Sequence, residues 1–534
     1  MTRIDERVST HVYKVKRISK EEMESIAGVC VYDQSPFCNA ACPLKLDVKA
    51  MLKAAAENDF KKAFKIYESI APFPLILSAG CGAPCEEKCR LCELGDGIAI
   101  GDIERAVALS GGAGEKRSIF RVRKKKKAAV FGSGLFALLL AGELEKKGYP
   151  VTAICGEADE EEYLRVAAGF LREDDFYTEL KRLRGKDIAF KFNAEMTREL
   201  FEEKRGGFDV LCASEKAALD IFPGAVRDEG IMLMESEGLL TGGGETVLEA
   251  ALGARKAALT ADRLAQGIDP RSARGEEGPV TSRLYTNPDL ARGLIRIKGC
   301  ESGYTREQAA EEAGRCMQCH CDECLRGCAY LRRFNKHPGL LSREIYNNTQ
   351  IIMGDHPLNR AMNACALCGQ CTVTCPHGFD MAHVCRTARE NMVDTDKMPL
   401  AAHEFALLDM LFSNGEAYLC RKQPGHSHCR YVFFPGCQAA AIAPEAVIAA
   451  YEDLCTRLKG GVALMLGCCG AIAHWAGRGE MYGEVRDKIA AELAALEDPV
   501  IIAGCPSCMK LLSEQDMAET VGIWTVLRLS LIHI

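Results

Sequence analysis

The sequence predicts a multidomain chain that mixes α/β and all-helical parts. In order these are a helical cysteine-bearing domain, a shortened doubly wound α/β domain, a helical cysteine module and a second α/β domain. Three observations point there. The chain has 534 residues, room for three or four domains of roughly 150 residues each. A strand, glycine turn, helix and strand pattern occupies 126–157. Finally, 20 of the 28 cysteines fall in four tight groups spread along the chain. The expected boundaries are 1–123, 124–272, 273–400 and 401–534.

The totals set limits. Hydrophobic content of 48% and charged content of 26% are ordinary for globular proteins. A net charge of −7 argues against a nucleic-acid partner, and the basic run "RVRKKKK" (121–127) reads as a solvated lead-in to the next element. The stretch "MTRIDERVSTHVYKVKR" carries no secretory apolar region. The longest apolar run, 128–142, is too short to span a bilayer. A cytoplasmic location follows, where so many thiols point to metal or redox sites rather than disulfides.

The first domain carries Cys30, Cys38 and Cys42 in "CVYDQSPFCNAACP" and Cys81, Cys85 and Cys89 in "CGAPCEEKC", with the helical stretch 46–70 between them. This resembles the N-terminal iron–sulfur domain shared by the glutamate synthase small subunit and dihydropyrimidine dehydrogenase. That resemblance implies up to two 4Fe–4S clusters and one non-cysteine ligand on a following helix, at Glu104 in "IAIGDIERA". The family's second cysteine falls on Asp33, a carboxylate that can bind iron but is a harder ligand than thiolate, and Cys92 is the other option.

The second domain opens on Gly132-x-Gly134-x-x-Ala137, a G-x-G-x-x-G/A fingerprint between a strand and a helix. Backbone N–H groups at such a helix start cradle a pyrophosphate. A second stretch, "GLLTGGGETVLEAALGARKAALTADRLAQG" (238–267), resembles the closing flavin motif of the glutamate-synthase-like family, which places Gly243 and Gly244 against the cofactor. FAD is the implied cofactor of a reduced Rossmann-like domain. Cys155 stands where an acidic ribose ligand is expected, with Glu157 nearby, and about 110 residues separate the motifs, too few for an inserted NAD(P)H domain. An empty scaffold is the alternative.

In the third domain, "CALCGQCTVTCP" gives Cys365, Cys368, Cys371, Cys375 and Pro376, the C-x2-C-x2-C-x3-C-P run of bacterial 4Fe–4S proteins. Its partner run carries Cys316, Cys319, Cys321, Cys324 and Cys328. Strict spacing puts that run's first ligand at Gln318, so Cys319 and Cys316 both remain open. With a helical "LSREIYNNTQII" between the runs, this resembles the α-helical ferredoxin module of heterodisulfide reductases and fumarate reductases. Two 4Fe–4S clusters are implied.

The fourth domain sets Cys468 and Cys469 side by side in "LMLGCCGAIAHWAG". Neighbouring Cα atoms lie about 3.8 Å apart, below the window of about 4.4–6.8 Å for a disulfide. With Cys437, Cys505 and Cys508 they form C-x30-CC-x35-C-x2-C, which resembles the cysteine-rich CCG domain. It occurs in the catalytic subunit of heterodisulfide reductase and in lactate-utilisation and glycerol-phosphate dehydrogenase iron–sulfur subunits. The resemblance implies an iron–sulfur centre that handles a disulfide or passes electrons onward. "YVFFPGC", "ALMLGCC" and "VIIAGC" each read as a short buried strand running into a cysteine, which sets the thiols at the carboxyl edge of a parallel sheet. The closing "RLSLIHI" follows a single repeat where such proteins generally carry two, so a continuation is expected.

The sequence therefore predicts an iron–sulfur (flavo)oxidoreductase passing electrons through 4Fe–4S clusters to the CCG cysteines. The implied partners are a redox protein or a flavin- or NAD(P)H-oxidising subunit, with no transmembrane segment and peripheral association with a membrane complex as an option. The alternatives are a non-catalytic relay subunit and a zinc-stabilised assembly protein.

Overall fold

A computed structural model describes residues 19–110, 123–272, 274–275, 277–300 and 303–531. The N-terminal stretch through 18, the start of the basic run and the last three residues lie outside these. The chain divides into two compact units, 31–321 and, together with 19–30, 322–531.

In the first unit the stretch 46–70 forms two helices, Val48–Ala56 and Phe60–Glu68, capped by Asp47 and Asp59. Asn58, at φ +59°, breaks what reads in sequence as one helix, because Asp59 offers its side chain to the N–H of Lys62 and starts the second. Helix Arg306–Gly314 packs against Val48–Ala56 and against Ile100–Ser110. The segment up to Cys321 thus folds with the N-terminal helices, and the boundary between units falls well beyond 273. Buried Glu312 anchors it by accepting the N–H groups of Ala99 (3.1 Å) and Ile297 (2.9 Å) and pairing with Arg315.

The same unit holds a six-stranded sheet of β1 (Ala128–Phe131), β2 (Val151–Ile154), β3 (Ile188–Lys191), β4 (Val210–Ser214), β5 (Leu233–Met234) and β6 (Leu239–Gly242), ordered β3-β2-β1-β4-β6-β5. All neighbours are parallel except β5 and β6. Helix Leu135–Lys146 is buried over Phe136–Glu145, as its unbroken apolar run requires, and packs on helix Val247–Gln266.

The second unit begins with helix Lys20–Ala27 packed on helix Pro338–Gln350, followed by helix Met381–Asp394. Its sheet comprises β7 (Leu419–Arg421), β8 (Tyr431–Phe434), β9 (Val462–Leu466), β10 (Val500–Ala503) and β11 (Thr520–Gly522), in the order β11-β10-β8-β9-β7. Only β7 runs antiparallel. Among the described residues no helix is long and apolar enough to cross a membrane.

Candidate iron–sulfur centres

Strands β10, β8 and β9 lie side by side, and each runs through a glycine into a cysteine: Gly504–Cys505, Gly436–Cys437 and Gly467–Cys468. Apolar runs drive the strands into the core, and the thiols emerge together at their carboxyl ends. Cys437 faces Cys468, Cys468 adjoins Cys469, and Cys469 faces Cys508. A Cβ on Gly436 would lie 3.1 Å from the Cys505 Cβ and 3.3 Å from the Cys508 Sγ, which closes the group of five. Asn414 Oδ1 accepts the Cys468 N–H at 2.9 Å. The hydrogen bond shared with Cys468, and then burial, raise the Cys437 thiol.

Cys328, Cys365, Cys368 and Cys371 line one cavity of about 640 Å³ together with Tyr330 and Met381. Cys385, outside the ferredoxin-type spacing, adjoins Cys365, and the Tyr330 hydroxyl lies 3.6 Å from the Cys385 Sγ. The hydrogen bond from Cys385 leads the causes that lower the Cys365 thiol. Buried Arg389 donates to the carbonyls of Met362 and Cys365 and, at 2.6 Å, to that of Trp475 beyond the vicinal cysteines. Cys324, Cys375 and Cys30 share the core of this unit, where Cys30 meets Gly339. Cys321 is half-buried at the end of the other unit.

The N-terminal cysteines form two sets. Cys42, Cys81 and Cys85 surround Glu104, which is buried with Tyr67 against it. Burial raises the Glu104 carboxyl to about 8 and the Cys81 thiol to about 12. In the second set Cys38 faces Cys89, Cys316 and Cys319. Burial dominates the upward shift of Cys38, and the like charge of the facing thiolates adds to it. Among the described residues no three His, Cys, Asp or Glu side chains can hold a single metal ion. Thiol-rich donor sets of this kind are those that a centre whose thiolates each bind a different iron would use. Desolvated thiolates crowded together need cationic charge among them, which such a centre supplies.

A recurrent backbone device marks these loops. Ala83, Gln318 and Leu367 have φ of +45°, +51° and +53°, and Gly470 has +81°. Each lies two residues after a candidate ligand and directs its N–H at that sulfur: Cys81, Cys316, Cys365 and Cys468 respectively. Left-handed backbone costs a non-glycine residue about 1–2 kcal/mol, so three such residues indicate loops held for their N–H···S geometry.

The glycine motifs differ from one another. A Cβ on Gly132 would meet Ser214 Oγ at 2.4 Å, while nothing lies within 4 Å of one on Gly134, so the first loop is open to a phosphate. Ala137 is fully buried behind it. The closing motif carries acid instead. Glu249 accepts the N–H groups of Glu245 (3.0 Å) and Thr246 (3.2 Å), and a Cβ on Gly243 would meet Glu215 Oε2 at 2.3 Å. Gly244 is closed against Ala250. Glu215 is paired with Arg227 at 3.1 Å, and Glu249 occupies N–H groups that an anionic cofactor would use at this helix start.

Comparison with known proteins agrees with the cysteine chemistry. Residues 7–112 match a family described as dihydropyrimidine dehydrogenase domain II, 4Fe-4S cluster, and residues 315–380 match a 4Fe-4S dicluster domain. The chain is 28% identical over 230 residues to the NADPH-Fe(3+) oxidoreductase subunit beta of Geobacter sulfurreducens, covering 40% of this chain and 33% of that one. It is 28% identical over 159 residues to the NADP(+)-dependent formate dehydrogenase subunit beta of Moorella thermoacetica, over 25% of this chain and 21% of the other. It is also 29% identical over 146 residues to the glutamate synthase (NADPH) small chain of Azospirillum brasilense, over 25% and 29%. The chain spans a third or less of the length of these relatives. Two 4Fe–4S-binding regions are therefore present in this chain, and its relatives are oxidoreductase subunits.

Proposed function

We propose that this chain is an electron-transfer subunit of an iron–sulfur oxidoreductase, in which the ferredoxin-type site of Cys328, Cys365, Cys368 and Cys371 serves a heterodisulfide reductase-like site formed by Cys437, Cys468, Cys469, Cys505 and Cys508. The reading rests on five cysteines at the carboxyl ends of three adjacent parallel strands, in the same folded unit as the ferredoxin-type cavity. Arg389 ties the Cys365 loop to Trp475, six residues past Cys469. Iron–sulfur centres bound in these sites would supply one-electron transfer. The protein's own part is to fix the thiolates, exclude water from Cys468, Cys469 and Cys508, and direct N–H groups at sulfur. Reducing a substrate disulfide takes two electrons and two protons and releases two thiols. The electrons come from a reduced redox partner or a nicotinamide-oxidising subunit, the kind of enzyme that the relatives' names describe.

A second reading, a relay subunit with an unused dinucleotide scaffold, is favoured by the carboxylates of Glu249 and Glu215 at the closing glycine motif. No step of either reading runs through a flavin. Iron, acid-labile sulfide, zinc and flavin per chain after anaerobic purification test both. Iron with equivalent sulfide agrees with either reading, and zinc without sulfide overturns them. Cys468→Ser/Cys469→Ser should remove only the centre at the strand ends, whereas loss of every cluster would give those residues a structural role instead.

A further inference from the structure

Cys316 and Cys319 belong in sequence to the ferredoxin-type run, and the matched dicluster family also spans them. Their surroundings are those of another site. Helix Arg306–Gly314 leads into them and is locked onto the N-terminal helices through Glu312 and Arg315, whose guanidinium also donates to the Asp96 carbonyl. Lys49 Nζ donates to the Cys319 carbonyl at 2.9 Å, and its own N–H binds Asn39, the neighbour of Cys38. Gln318 binds the Lys49 carbonyl and, at 3.4 Å, the Cys316 sulfur. Helix Val48–Ala56 thus carries a clamp that holds the 316–319 loop over Cys38, while Asp96 and Ala99 tie it to the loop after Cys89.

We propose that Cys38, Cys89, Cys316 and Cys319 hold one 4Fe–4S cluster, assembled from the N-terminal cysteine loops and from a pair supplied more than 200 residues later in the chain. The four thiols are each half-buried against one core, and Cys38 faces the other three. Gln318 adopts the same left-handed turn after Cys316 that Ala83 and Leu367 adopt after Cys81 and Cys365. The pair takes the places left without thiolates at Asp33 and by Cys30, which packs in the other unit's core beside Gly339. The inference stands apart from the disulfide-reducing reading, because its readout is metal content and thiol protection rather than turnover.

The test uses the full chain purified anaerobically. Cys316→Ser/Cys319→Ser should lose about four irons and four sulfides, as should Cys38→Ser/Cys89→Ser. The quadruple variant should lose no more than either double, with the electron paramagnetic resonance signals of the other clusters retained. Additive loss in the quadruple variant, or unchanged iron in the 316/319 double, would overturn the proposal. Alkylation of the wild-type protein during iron chelation, read by peptide mass spectrometry, decides the matter without relying on a variant that must fold. Cys38, Cys89, Cys316 and Cys319 should become labelled with one time course. Labelling of Cys316 and Cys319 in step with Cys324 instead would place them in the ferredoxin-type run.

Discussion

Gly436 shows how little room the five-cysteine site leaves. Its φ of +85° suits glycine, and an added methyl would press on the carbon of Cys505 and the sulfur of Cys508. Gly436→Ala is expected to destabilise the chain by roughly 1–3 kcal/mol through overpacking and to empty the strand-end centre first, read as lost iron at an unchanged far-ultraviolet spectrum. Arg389 acts differently, since it gathers three carbonyls from two segments. Arg389→Ala leaves those acceptors buried without a donor, at about 1–3 kcal/mol each. Arg389→Lys keeps the charge but not the planar fork and should recover only part of the thermal midpoint. Neither Arg389 nor Cys385 was legible in the sequence, because each sits mid-helix among ordinary neighbours and only its packing brings it to the Cys365 loop.

At the scale of elements, the strands were the most legible part. "YVFF", "VALML" and "VIIA" are continuous apolar runs, as strands covered on both faces require, and each is a parallel strand leading to a cysteine. The strand, turn and helix at 128–146 follows the same logic. What spacing left open was the allegiance of Cys316 and Cys319. Two registers fitted the run equally well, and the docking of helix Arg306–Gly314, a tertiary matter, is what favours the proposed assignment. That docking depends on Glu312, fully buried with two N–H groups and a guanidinium as partners. Glu312→Ala strands a buried Arg315 and two donors, so a loss on the order of 3–5 kcal/mol is expected in a urea titration. Iron should fall before the six-stranded sheet unfolds.

For the whole molecule, the cysteines were more specific than the glycines. Ferredoxin-type spacing is specific because each thiolate must reach a different iron, and the two matched 4Fe–4S regions accord with it. A glycine fingerprint asks only for a tight turn and close packing, which an α/β domain retains for its own stability; Gly132 is held between Ser214 and Ala217 whether or not a cofactor binds. Glu249, which takes the N–H groups at the second helix start, is what favours the empty scaffold.

In the proposed function, electrons held by the ferredoxin-type site reach the five cysteines and are used on a disulfide. The most direct measurement is to reduce the full chain with dithionite, remove the excess, and add 2-hydroxyethyl disulfide while following the reduced-cluster resonance and free thiols. The wild-type resonance is expected to decay as two thiols appear per disulfide, while Cys468→Ser/Cys469→Ser keeps its resonance and releases none. Equal decay in both proteins, or no decay in the wild type, would contradict it.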